Sequence, residues 1–501
     1  MVNGRPTRAA PAPARLAPGT GPGSTRRPRL RRVTGTLPRR HPARSALWAE
    51  GVDVGLWCAA AGFGLLLSTL IAATDVDLGS VGPFPVGWRT PHLAPATLLP
   101  VLVAVGTLAL ARRAIRARWP LLLLFGFAGS LCWSLALAAA AGPGLTDGLR
   151  PPPVYLTAAD AVGDDPFGYL AGWVAQSVDG PVSAAQAGAA DLPRAPSSLL
   201  TSHPPGPVLL VWGLDRLGLG DLAEAADGAG GAGGAVPLGL ALTALTALGV
   251  PLVAVAVRSL CHETAARRAV PVLVLTPWAL WAAASPRAVA ILPAAAAVTV
   301  GVLGCEPGRR WRLSWALLSG LLLGVGGLFD YAVVWLGVAV AAAYFVRRQP
   351  LMNVFTGLGA LLPLWLFSAW GFSWPDGLTR ARVDAGPATV LAWLALDAVV
   401  VLLAGGPVLV RALRRLRLTP GWPFLVGAGA AALFSVCAGL AWGGVELAWL
   451  PLAPWLAVAA LAPRPRPDGP GDTVRAGELP GLLIGTGALA AIVLRVCLGN
   501  G

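Results

Sequence analysis

The sequence predicts an all-α, polytopic transmembrane bundle of about 13 spans, with one large extracytoplasmic loop. Three observations predict it. The chain is 55% hydrophobic and only 12% charged, with a mean hydropathy of +0.67, whereas soluble proteins carry about 25% charged residues. Its apolar residues fall in stretches close to the length of about 20 residues that crosses a bilayer. Its 38 basic residues are all arginine, and they gather in a tail and in short loops between apolar stretches. That placement sets aside nucleic acid as a partner despite a pI near 11.

Residues 1–47 are Pro-rich, carry eleven arginines and show no periodic apolar face. They read as a disordered basic cytoplasmic tail without the apolar segment of a signal peptide. Its alternatives are a solvated topogenic tail and a tail that meets anionic lipid headgroups. Two transmembrane helices occupy 48–118, with apolar stretches at 52–73 and 95–111. A membrane module spans 119–462. It opens with a stretch at 119–141, followed by the large polar loop 142–235 and nine further stretches from 236–257 to 448–461. Residues 463–501 form a cytoplasmic linker and a last span at 479–498.

Sidedness follows from the arginines. The apolar segment 205–217 is too short to cross and ends in Asp215 and Arg216. If it stays on one side, 30 Arg and 7 acidic residues lie inside against 8 Arg and 16 acidic residues outside, with Asp397 in mid-membrane. If it crosses, that bias collapses. The rule that positive loops stay inside therefore favours 13 crossings and a half-length helix at 205–217. Cys58, Cys132, Cys261, Cys305, Cys437 and Cys497 lie in apolar segments or in inside loops. Neither a disulfide framework nor a zinc site is expected of them.

The polar residues at membrane depth and at loop edges gather on the extracytoplasmic face. Ionisable residues there are candidates for function. Asp75 and Asp77 follow the first span, Asp330 and Tyr331 sit at a turn, Arg380, Arg382 and Asp384 occupy 372–387, and Glu446 caps a late loop. The string Thr201-Ser202-His203-Pro204-Pro205-Gly206-Pro207 places a histidine before a proline-initiated helix. Such a start suits an anion such as phosphate, with the imidazole as donor or proton carrier. It is also simply a way to start a helix. In Gly163-Asp164-Asp165-Pro166-Phe167-Gly168-Tyr169-Leu170, the paired carboxylates suit a general base for an acceptor hydroxyl, or a divalent cation. Asp-Asp-Pro is equally a helix N-cap.

Two of these segments resemble the GT-C superfamily of membrane glycosyltransferases, among them the protein O-mannosyltransferases and the lipid A aminoarabinose transferase. An acidic, aromatic loop followed by a basic residue before Pro-Pro is their common pattern. More closely, Ser202-His203-Pro204-Pro205-Gly206-Pro207-Val208-Leu209-Leu210 through Leu214-Asp215-Arg216-Leu217-Gly218 is similar to a group of bacterial GT-C-like membrane proteins. Phe329-Asp330-Tyr331 resembles that group's Ser-Tyr-Gly turn. Val445-Glu446, Trp449-Leu450-Pro451 and Pro454-Trp455 resemble its Glu-Val-Glu-Arg-Ile-Trp-Leu-Pro segment. The chain departs from the group at Val154-Tyr155-Leu156, at Ser285-Pro286-Arg287, at Gly444 and at Leu447.

The resemblance implies transfer of a sugar from a polyprenyl-phosphate donor to an acceptor outside the membrane. Asp164 or Asp165 would be base or metal ligand, and His203 with Arg380 or Arg382 would hold the donor phosphate. Asp330, Tyr331 and Glu446 would complete the substrate site. One alternative is a catalytically silent relative that binds lipid or an envelope complex. Another is a transporter, for which Asp397 is the deep charge and Pro293 and Pro363 are the helix breaks. A reporter fused near residue 190 is expected to be active only outside the cytosol; a cytosolic signal there would overturn the assigned sidedness.

Overall fold

The computed structural model describes residues 42–74, 76, 78, 94–140, 154–176, 203–219, 235–382, 385–415, 419–440, 444–459 and 479–497. The chain divides into Met1–Ser45 and Ala46–Gly501, and the packing below belongs to the second unit. Every regular element among the described residues is helical. Six helices are long and apolar enough to cross a membrane, and they mark this as a membrane protein. Asp75, Asp77 and Asp384 lie outside the described residues.

The bundle begins with α1 (Pro42–Ala72), α2 (Leu98–Ala114) and α3 (Trp119–Ala139). On α1, Phe63, Leu66 and Leu70 are exposed while Trp57 and Ala61 are buried. A helix apolar on all sides is what lipid requires. Three short helices follow: α4 (Val154–Val162), α5 (Pro166–Gln176) and α6 (Gly206–Arg216). At 11 residues, α6 is about 16 Å long, half the thickness of a hydrocarbon core. This matches the half-length helix read from 205–217.

Next, α7 (Ala235–Ala247) and α8 (Gly249–Leu260) form one apolar run. α9 (Glu263–Val274) stops short of the stretch read from sequence at 270–284. Pro277 has no N–H with which to continue the helix, and Thr276 before it is extended. Two 3₁₀ turns, Pro277–Trp281 and Ala288–Ala290, fill the interval before α10 (Ile291–Gly304). α11 (Arg312–Gly327) and α12 (Gly337–Val346) pack beside α10, and α13 (Met352–Ala369) packs against α11. The short α14 (Trp374–Ala381) leads into α15 (Pro387–Arg415), and α16 (Trp422–Cys437), α17 (Val445–Ala448), α18 (Ala453–Ala459) and α19 (Gly481–Cys497) complete the order.

The tightest helix pair is α11 with α13. A Cβ on Gly320 would lie 2.0 Å from the Thr356 carbonyl oxygen, and one on Gly324 would lie 2.3 Å from that of Ala360. Small residues four apart let backbones touch, and in lipid close contact takes the place of the hydrophobic drive. Thr356 Oγ1 donates to the Ala316 carbonyl across the same seam at 3.1 Å. Proline does not break the bundle where the sequence suggested. Pro363 sits inside an intact α13 and Pro293 in the first turn of α10. The break is in α15, where Gly406 has φ 61 and ψ −168 and Pro407 follows. Gly320→Val is expected to destabilise the purified protein by about 1–3 kcal/mol through overpacking, read as a lower melting temperature; an unchanged melting temperature would show that the seam has room.

Candidate functional site

The proline corner and the Asp330 turn, far apart in sequence, meet. Gly206 donates its N–H to the Leu328 carbonyl at 2.8 Å. A Cβ there would lie 2.2 Å from that oxygen, so only glycine fits. Pro204, Pro205, Gly206 and Pro207 are buried, and His203 is half-buried beside them. The start of α6 therefore has few donors left for an anion. Gly206 uses its own on Leu328, and Pro207 has none. The corner's built role is to dock α6 onto the 328–330 turn.

That turn presents a buried ion pair. Asp330 Oδ1 accepts the Ala332 N–H at 2.8 Å, and Oδ2 lies 4.0 Å from an Arg287 guanidinium nitrogen. Burial raises the Asp330 carboxyl above its ordinary value, and Arg287 and the Ala332 N–H pull it back down. Arg287 is itself buried, and its charge is also felt at Tyr155 and Glu446. Burial pushes the Tyr155 hydroxyl up to about 12. Burial likewise raises Glu446, against the opposing pull of its own backbone amide and of Arg287. Glu446 in turn reaches Asp397 of α15, which is 3% exposed.

The turn that carries Arg287 is strained. Ala284, three residues before it, has φ 52, an uncommon conformation for a residue with a side chain. The buried Thr243 hydroxyl accepts the Ala284 N–H at 2.9 Å and holds it there.

Glu446 borders a narrow, partly open apolar groove whose free space, about 30 Å³, is no more than a water-sized gap. Its walls include Trp278, Val401, Ala404, Leu409 and Leu456, and Glu446 and Trp449 give it polar atoms. Around the groove and the ion pair, Tyr155 Oη, Tyr331 Oη, Asp397 Oδ2 and Trp449 Nε1 are buried without a hydrogen-bond partner among the described residues. Nearly all buried polar atoms in folded proteins are paired; of these four, Trp449 lines the groove, while Tyr331 Oη faces Gly377 of α14.

Asp164 is 92% exposed and pairs with Arg216 of α6. Asp165 accepts the Gly168 N–H at 2.8 Å and so caps α5. Arg380 and Arg382 are exposed at the end of α14, whose Trp374 ring packs edge-on against Tyr331 at 5.2 Å and donates to the Gly327 carbonyl. Among the described residues, no three His, Cys, Asp or Glu side chains come together to hold a metal ion. Sequence reasoning did not single out Arg287 or Tyr155. The available signal for Arg287 was a lone arginine between two long apolar stretches. No family model, curated protein or solved structure matches this chain.

A buried carboxyl that holds its proton more tightly than in the unfolded chain stabilises the fold at low pH. That contribution is lost as pH rises through the raised value. Glu446→Gln removes the titration. It is expected to raise the melting temperature relative to the parent by roughly 1–3 °C at neutral pH, with the gain vanishing toward the ordinary value of 4.5. A gain of equal size at every pH would disprove the burial argument.

Proposed function

We propose that this chain is a GT-C-like membrane glycosyltransferase of the plasma membrane, with about 13 spans and its N-terminus in the cytoplasm. It moves a sugar from a polyprenyl-phosphate donor to an acceptor on the extracytoplasmic side. The observation that carries this reading is the buried Arg287–Asp330 pair together with Glu446, which feels Arg287 and borders an apolar groove. An amphiphile with a long hydrocarbon tail and a polar head matches such a site: tail along the partly open groove, head among Arg287, Asp330 and the tyrosines.

In this reading Glu446 takes the proton of the acceptor hydroxyl. The acceptor oxygen then attacks the anomeric carbon, and the bond from that carbon to the phosphate oxygen breaks. The phosphate leaves with the electron pair, and Arg287 meets its charge in a site of low dielectric. Burial raises the proton affinity of Glu446 above that of an ordinary carboxylate, which strengthens it as a base for the first step. Asp164 and Asp165, expected from sequence as base or metal ligand, are engaged by Arg216 and the α5 cap, so the base is assigned to Glu446. His203, Arg380 and Arg382 belong to the rim, where they meet the donor phosphate or the acceptor. The engaged Asp164 and Asp165 also favour a second reading, a silent relative that binds the lipid without turning it over.

The test is release of polyprenyl phosphate from a panel of lipid-linked sugars by the purified protein. Arg287→Gln and Glu446→Gln are expected to lower turnover at least about a hundredfold, the scale of an electrostatic or acid–base group, and Asp164→Ala to leave it within a few-fold. Lipid retained without turnover of any donor establishes the silent reading, and absence of both retention and turnover ends the proposal.

A further inference from the structure

The break in α15 borders the groove on both sides, since Ala404 and Gly405 precede it and Leu409 follows it. A helix broken at membrane depth needs neighbours to satisfy and hold its freed backbone. At the break itself Gly406 faces Pro277 and Gly487 of α19, and α1 adds polar contacts on either side of it. Ahead of the break, Trp57 Nε1 donates to the Leu402 carbonyl at 2.8 Å, four residues before Gly406. Gly64 brings α1 so close to Val399 that a Cβ would lie 2.9 Å from its methyl carbon.

Beyond the break, the Asp53 carboxylate is buried and accepts from both Arg411 Nε, at 2.7 Å, and Arg414. Glu50 Oε1 lies 4.0 Å from Arg411, while its other oxygen accepts the Leu482 N–H at the start of α19. One face of α1 thus grips α15 above and below its one left-handed residue, Gly406.

We propose that α1 is a splint across the α15 break, and that Asp53 and Trp57 are positioning residues that fix the groove wall. Neither touches the groove; both act through α15. Gly406 is non-helical and Pro407 brings no N–H, so the backbone ladder is weakened there, and the polar contacts from α1 help to fix the relative angle of the two halves. Loosening that hold lets the wall at Ala404–Leu409 move while the α11–α13 seam stays packed. The link to lipid retention rests on the groove reading above; the splint itself does not.

The experiment measures hydrogen exchange by mass spectrometry on the full chain in lipid nanodiscs, comparing Trp57→Phe and Asp53→Asn with the parent. Amides in 398–410 are expected to exchange about tenfold faster in Trp57→Phe, the factor for one lost buried hydrogen bond. Amides in 316–327 should be unchanged. In a parallel arm, undecaprenyl phosphate is added to the nanodiscs and retention is read by native mass spectrometry, with the variants expected to retain several-fold less. Unchanged exchange at 398–410 in a folded Trp57→Phe variant overturns the splint, as does an equal rise at 316–327. If the parent retains no undecaprenyl phosphate, the groove reading fails while the exchange arm still decides the splint. Should Asp53→Asn not fold, Trp57→Phe carries the test.

Discussion

The architecture turns on one buried positive charge. Arg287 sits among apolar helices with Asp330 at 4.0 Å and with Glu446 and Tyr155 inside its field. A charge in such a medium is tolerated only when compensated, and removing its partners strands it. The compensation comes from the turn after α11, through Asp330, with the Glu446 carboxyl of the short α17 also within its field. Bringing them together fixes where the last third of the bundle stands relative to its middle. The proline corner of α6 then docks on the same turn through Gly206, so the helices of the long connection are tied to the same centre.

A second charged set does comparable work elsewhere. Asp53 with Arg411 and Arg414, and Glu50 with the Leu482 N–H, join the first helix to α15 and to the last one. The helices that precede and follow the central module in sequence thereby become part of its packing. Between these two polar knots the bundle is held by close contact of small residues, as at Gly320, Gly324 and Gly359. Lipid gives apolar side chains no reason to prefer each other over solvent, so specific contacts and polar pairs must supply the order.

Much of this was legible in the sequence. The apolar stretches pointed to the helices because lipid demands long apolar runs, and 205–217 forms a short helix, as its length and the arginine bias suggested. The stretch 270–284 misled because hydropathy does not register that Pro277 lacks a donor; the chain is apolar there without being one helix. The break at Gly406 was missed for a related reason. Pro363 and Pro293 drew attention as prolines, but a proline bends a helix only where the backbone gives way, and at Pro407 the preceding glycine does so by adopting a positive φ. Of the site, Asp330, Tyr331 and Glu446 were visible as polar residues at apolar boundaries. Arg287 was visible only as a departure from a familiar pattern, because its partners are brought to it by tertiary packing. Asp164 and Asp165 drew attention as paired carboxylates; in three dimensions one pairs with Arg216 at the surface and the other accepts the Gly168 N–H at the start of α5.

The contact between Gly163 and α6 has a practical consequence. Trp212 Nε1 and Arg216 both donate to the Gly163 carbonyl, at 2.9 and 2.7 Å, and α4 packs along α6. One carbonyl thus receives two side chains of α6, so the turn between α4 and α5 and the far end of α6 are joined at a single atom, and a substitution at Trp212 or Arg216 would reach all three helices.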